Sequence, residues 1–179
     1  MKKIFLVAII LIGLAFSAQS QNISKNAIGI RIGDNQGFGA EVSYQRKLSG
    51  NNRLELDLGW RNHSYYNKGH DYYYDTSAVK LVGLYQWVWN IDGGFNWYAG
   101  VGAGIGSFNN RNNVTNNYGY AEHGAFGLVA GDIGIEYNFD FPLQLAVDFR
   151  PEIGFGDYYK NNDLGVFGPD IAVAARWRF

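Results

Sequence analysis

The segment Asp170 to Phe179 alternates without a break. Ile171, Val173, Ala175, Trp177 and Phe179 fall on one side of a period-2 pattern, and Ala172, Ala174, Arg176 and Arg178 fall on the other. Successive side chains point to opposite faces only in an extended strand, so this segment reads as a β-strand with one apolar face. An exposed Trp-x-Phe is a poor ending for a strand in water. The constraint on the rest of the chain is therefore strong: it must supply neighbours for a strand of this kind.

The chain in order supplies them. Ile28, Ile30 and Ile32 oppose Arg31, and Asp34-Asn-Gln36 reads as a tight turn. Phe38, Ala40, Val42 and Tyr44 oppose Gly39, Glu41, Ser43 and Gln45, before turn chemistry at Ser49-Gly-Asn-Asn52. Leu54, Leu56, Leu58 and Trp60 then oppose Glu55, Asp57, Gly59 and Arg61. Asn62 to Thr76 reads as a polar loop. The strand that follows carries apolar residues on both faces; Leu81, Gly83, Tyr85, Trp87 and Trp89 are assigned to one side, Lys80 and Gln86 to the other. Asp92-Gly-Gly94 is a hairpin turn. Trp97, Ala99, Val101, Ala103 and Ile105 alternate with Tyr98 and four glycines, and Asn109 to Tyr120 reads as a second loop. Ile133, Ile135, Tyr137 and Phe139 oppose Asp132, Gly134 and Glu136, with a bulge predicted near Phe126 and Leu128. Leu143, Leu145, Val147 and Phe149 oppose Gln144, Ala146, Asp148 and Arg150, and Gly156 to Gly165 is the last loop. The sum is eight strands whose connections are mostly short and long in alternation.

The start of the chain reads differently. Lys2 and Lys3 precede an apolar run from Ile4 to Phe16, too short to cross a bilayer as a helix, and Ala18-Gln-Ser20 supplies small residues. This predicts a signal peptide over residues 1–20, cleaved after Ser20; the competing reading is a membrane-anchoring helix. The absence of cysteine excludes disulfides, thiolate catalysis and a lipidated cysteine anchor. A net charge of −1 provides no field that would recruit nucleic acid.

Alternation is compatible with a lipocalin-like soluble barrel, apolar inside, and with a membrane barrel, apolar outside. Three features favour the second. The polar face is rich in glycine, which leaves room in a narrow interior. Its charges are mixed, with Arg31, Arg61, Lys80, Arg150 and Arg176 against Glu41, Glu55, Asp57, Asp132, Glu136 and Asp148, so that packed acids and bases offset one another. The aromatics are sorted by height. Tyr44, Trp87, Trp89, Trp97, Tyr137, Phe139, Trp177 and Phe179 sit at the short-turn end, and Trp60, Phe108 and Phe155 at the other. Two belts bracketing an aliphatic band suit the two interfaces of a bilayer. All of these polar-face charges but Lys80, ten residues, are predicted to form a lumen network that holds the barrel in register.

On the signal segment, the alternating strands and the terminal Trp177-x-Phe179, the chain resembles the small eight-stranded outer-membrane barrels of the OmpA/OmpX type. The tract Leu84 to Asn90 followed by Trp97 to Gly104 also resembles uncharacterised outer-membrane barrels of Bacteroidota-like bacteria. The resemblance implies an all-β, eight-stranded antiparallel up-and-down transmembrane β-barrel over residues 21–179. It further implies an outer-membrane location with termini in the periplasm, surrounded by outer-membrane lipid and lipopolysaccharide. Trp177 and Phe179 would be the signal read by the outer-membrane assembly machinery.

Chemistry is sparse. His63, His70 and His123 lie toward the long-loop end with Ser64, Ser107, Asp71, Asp75 and Glu122 nearby, the height at which a lipid A-modifying barrel enzyme works. His63 and Ser64 are adjacent, so a strand would point them to opposite faces, which departs from the His-x-Ser spacing of the deacylases. No spacing compels a metal site. The expected role is non-enzymatic, without cofactor, metal or open pore: an envelope structural or surface-binding barrel. Tyr72, Tyr73, Tyr74, Tyr118 and Tyr158 are the candidate loop-binding residues, against the simpler reading that they form the upper interfacial belt. The alternatives are the lipid A-modifying enzyme and a soluble lipocalin-like carrier of a small hydrophobic ligand.

Overall fold

The structure is a computed structural model that describes residues 23–33, 39–67, 72–114, 120–156 and 167–179. Eight strands follow one another as β1 (Asn26–Ile32), β2 (Ala40–Lys47), β3 (Asn52–Asn67), β4 (Tyr72–Asp92), β5 (Phe95–Val114), β6 (Tyr120–Asn138), β7 (Leu143–Phe155) and β8 (Phe167–Arg178). Each pairs antiparallel with the next, and β1 pairs antiparallel with β8, which closes the barrel. Closure pairs the backbone along every seam, so none of the described strands is an edge.

Register fixes the shape. Partners lead from Ala27 through Gln45, Glu55, Leu84, Gly102, Ala130 and Glu152 to Gly168. Gly168 lies five residues above Val173, the partner of Ile32, and Ile32 lies five beyond Ala27, so one circuit of the barrel climbs ten residues. Eight strands with that stagger tilt by about 40° and enclose a lumen only wide enough for side chains. Each residue then climbs about 2.5 Å along the barrel axis.

The faces follow the alternation read from the sequence. Ile171 is 70% exposed and Ala172 beside it 1%; Ile105 is 69% exposed, and Arg31, Glu41 and Asp57 are buried in the lumen. The ambiguous strand β4 points Leu81, Tyr85 and Trp87 outward and Lys80 and Gln86 inward, with Val82, Leu84 and Val88 also inside. Its two apolar faces arise because the inner one packs too: Val82 and Leu84 join Ala78, Phe108, Phe126, Leu128 and Ala130 in an apolar cluster inside the barrel. Glycines on β5 make room for it, since a methyl group at Gly106 would overlap the ring of Phe126.

Three expectations are corrected. The predicted loops Asn62 to Thr76 and Asn109 to Tyr120 are largely strand, because β3 and β4 pair up to Asn67 and Tyr72, and β5 and β6 up to Asn112 and Tyr120. Backbone hydrogen bonds need no apolar face, so Asn- and Tyr-rich residues continue the sheet. The bulge near Phe126 and Leu128 is absent. The β5–β6 register runs unbroken from Phe95 to Asn112, and Phe126 and Leu128 simply point inward; the register shift lies between Asn90 and Asp92. The expected 1–20 leader, the turn at Asp34 to Gln36 and residues 157–165 of the last loop lie outside the described residues.

Gly29 sits on the closing seam, where a Cβ would overlap the backbone carbonyl oxygen of Ala175. Gly29→Ala is therefore expected to push β1 from β8 and to cost about 1–3 kcal/mol in urea unfolding of the refolded barrel. Equal stability of the variant would show that the seam has slack.

Candidate functional site

The lumen is built from the inner face of every strand. At the short-turn end, Arg53 of β3 donates from Nη1 to Glu136 Oε2 of β6 (2.5 Å) and from Nε to Gln86 of β4. Its guanidinium also lies 4.6 Å from the ring centre of Tyr98 on β5, a cation–π contact in a water-poor space. Asn96 and Asn138 donate to the other oxygen of Glu136. One level higher, Arg176 of β8 donates to Glu55 Oε1 (3.1 Å) and to Ser43 Oγ.

The middle of the lumen holds two arginines that reach across it. Arg31 of β1 contacts Glu41, Asp148 and Asp170, on β2, β7 and β8. Arg150 of β7 donates to Glu41 Oε2 (3.1 Å) and pairs with Asp57 on β3. Lys80 of β4 closes the ring, 3.0 Å from Glu41 and 3.1 Å from Glu152. Glu41 thus meets three cations from three strands. Arg31–Glu41 and Arg31–Asp170 join neighbouring strands, while the pairs Arg31–Asp148, Arg150–Glu41, Arg150–Asp57, Lys80–Glu41 and Lys80–Glu152 span non-adjacent ones and so fix the cross-section of the ring. Above them sits the apolar cluster around Phe126 and Leu128.

Of the ten lumen charges expected, nine are buried and Arg61 is half-buried near the long-loop end. Asp132 accepts from Gln86 rather than from an arginine. Arg53, Glu152 and Asp170 belong to the same network although the sequence reading omits them. Arg53 directly follows a turn, Glu152 follows a proline, and Asp170 opens the last alternating segment. Each stands where the alternation marks the end or the beginning of a strand. With them and Lys80, five buried cations (Arg31, Arg53, Lys80, Arg150 and Arg176) face eight buried acids among the described residues.

The outer wall is apolar between two aromatic levels. At the short-turn end, Trp89 and Trp97 stack at 4.3 Å, and Phe95, Tyr137, Phe139 and Phe141 form a chain of ring contacts. Trp177 and Phe179 are exposed at the same end. Trp60, Phe155 and Phe167 are exposed about 20–25 Å above them, whereas Phe108, expected in that belt, is buried in the inner apolar cluster. Strands β3 to β6 continue about 15 Å beyond that upper level.

Of the three histidines, His123 alone has a side chain among the described residues. His123 and Ser107 are exposed on the outer faces of β6 and β5. The side chains of His63, Ser64, Asp75, Glu122 and Tyr72 to Tyr74 lie outside the described residues, as do His70, Asp71, Tyr118 and Tyr158 altogether.

No protein-family model matches this chain, and no curated protein matches it in sequence. Solved structures do match. A major outer membrane protein from Thermus thermophilus superposes with a TM-score of 0.65 at 12% identity, over 88% of this chain and 100% of that one. Neisserial surface protein A gives 0.56 at 10% identity, over 86% and 94%. Ail, the attachment invasion locus protein of Yersinia pestis, gives 0.53 at 14% identity, over 87% and 97%, and has also been solved with the heparin analogue sucrose octasulfate. The chain has the closed eight-stranded barrel fold of these outer-membrane proteins. They lend no support to the Bacteroidota-like resemblance of the Leu84 to Asn90 tract.

Proposed function

We propose that the protein is an integral outer-membrane barrel with both ends in the periplasm. It serves the envelope as a structural element and binds surface ligands through its long-loop end, with no open pore and no enzymatic activity. One observation carries the reading, the inverted polarity of the barrel. Aliphatic side chains cover an outer band about 25 Å tall between aromatic levels, the dimension of a bilayer's apolar core. Ile30, Val101, Ile105, Ile133, Ile171 and Val173 are exposed on that wall and would need another cover in water; a lipocalin-like carrier instead keeps its apolar face inside.

The ion pairs support a plug rather than a channel, because Arg31, Arg53, Lys80, Arg150 and Arg176 are each held by acids from other strands. The leader at residues 1–20, and Trp177 and Phe179 as the signal for the assembly machinery, belong to the same reading. Lipopolysaccharide is then the surrounding lipid. Tyr72, Tyr73, Tyr74, Tyr118 and Tyr158 supply aromatic contact area for a surface ligand, by analogy with the attachment protein Ail.

The test is a cold-versus-boiled gel of protein extracted from isolated outer membranes, beside a variant lacking Phe179. A mobility shift on boiling, diminished without Phe179, is expected; a soluble protein with no shift overturns the proposal. Planar bilayers should stay silent and lipid A mass spectra unchanged on expression. Steady single-channel currents would remove the plug, and altered acyl chains would restore the enzyme alternative.

A further inference from the structure

On the outer wall the change from apolar to polar is abrupt. The outward register row Leu58, Leu81, Ile105 is aliphatic, and the next row up is Trp60, Val79, Ser107. Above it, Asn62 of β3 faces Ser77 of β4, Ser77 faces Asn109 of β5, and Asn109 faces His123 of β6. Asn62 and His123 are exposed, Ser77 and Asn109 half-exposed, and Trp60 is 54% exposed. Because the strands tilt, the row climbs as it crosses from β3 to β6. Asn62 and Ser107 stand about 24–25 Å above the lower aromatic level, the height of Phe155 and Phe167 on the opposite wall. Residues 60–62, 77–79 and 107–109 together line a cavity of about 250 Å³.

The chemistry of this patch selects its occupant. Two primary amides and two hydroxyls provide paired donors and acceptors, and an indole stands at their foot. The outward members carry no lysine or arginine; Arg61, on the lumen face of β3, is the one full cation lining the cavity. A site for a phosphate would place cations there. Neutral amides and hydroxyls beside an exposed indole instead match the hydroxyl-covered edge and apolar face of a sugar ring. At the level where the apolar wall ends, that sugar is the headgroup of a lipid.

We propose that Trp60, Asn62, Ser77, Ser107 and Asn109 form a lipid-facing site for the saccharide headgroup of an outer-leaflet glycolipid. The proposal rests on the membrane reading above and adds a fixed annular lipid to it. The test reconstitutes the full chain into phospholipid nanodiscs with a minor fraction of lipopolysaccharide and measures the lipopolysaccharide retained after detergent exchange. Retention above the bulk ratio is expected, falling about fivefold in the double variant Asn62→Ala, Asn109→Ala. The variant Asn90→Ala, at the opposite end, should retain as the parent does. Equal retention by the double variant overturns the site, as does retention of plain phospholipid to the same extent. A concentration-dependent dimer lost in Trp60→Ala would assign the patch to a second copy of the chain instead. Failure of the parent to insert into discs at all would strike the membrane reading; insertion without retention would strike this site alone.

Discussion

Arg150→Met is expected to remove about 3–5 kcal/mol from the barrel's unfolding free energy in urea, measured after refolding into detergent micelles or vesicles. Arg150 is fully buried and joins Glu41 of β2 and Asp57 of β3 to its own strand across the lumen. Methionine fills much of the same volume but leaves those carboxylates without that cation. The counter-variant Glu41→Gln should cost less, although Glu41 meets three cations. With eight buried acids against five buried cations among the described residues, removing a cation deepens the imbalance and removing an acid relieves it. After losing Glu41, Arg31 still holds Asp148 and Asp170, Lys80 still holds Glu152, and Arg150 still holds Asp57. A larger loss in Glu41→Gln than in Arg150→Met would show that local contacts outweigh the charge balance.

Leu56→Arg addresses the other face. Leu56 lies midway along the membrane-height part of β3, in register with Tyr44 and Gly83 on the outer wall. A guanidinium at that depth in lipid should cost about 2–4 kcal/mol, whereas arginine on a water-facing wall is nearly neutral. Refolding into vesicles and urea titration separate the two. A neutral result would turn the wall toward water and end the membrane reading.

How much of this was legible in the sequence depended on which force wrote each segment. Where a strand separates lipid from the charged lumen, the alternation is plain, as in Leu54 to Arg61 and Asp170 to Phe179. Both segments face as read. On β4 the alternation fades because Val82, Leu84 and Val88 pack inside, and hydropathy carries no sign for inside against outside. The same cluster explains the mistaken bulge: Phe126 and Leu128 looked out of phase only on the premise that every inward residue is polar. Beyond the upper aromatic level neither face is apolar, so the extended ends of β3 to β6 read as loops. Only backbone pairing distinguishes them. Arg53, Glu152 and Asp170 were missed for a related reason, since a charge beside a turn or a proline looks solvated until the neighbouring strands are seen to cover it. The polar row from Asn62 to His123 was not legible at all, because its four members come from four strands and meet only through register.

The closing seam has a topological consequence. Asn26 and Phe179 exchange both of their backbone hydrogen bonds, N–H to carbonyl in each direction, so β1 and β8 lie side by side like any other neighbouring pair. The wall is a ring without a first strand. The order of strands around it would therefore be unchanged if β1 and β8 were joined and the chain opened at the turn of residues 49–51.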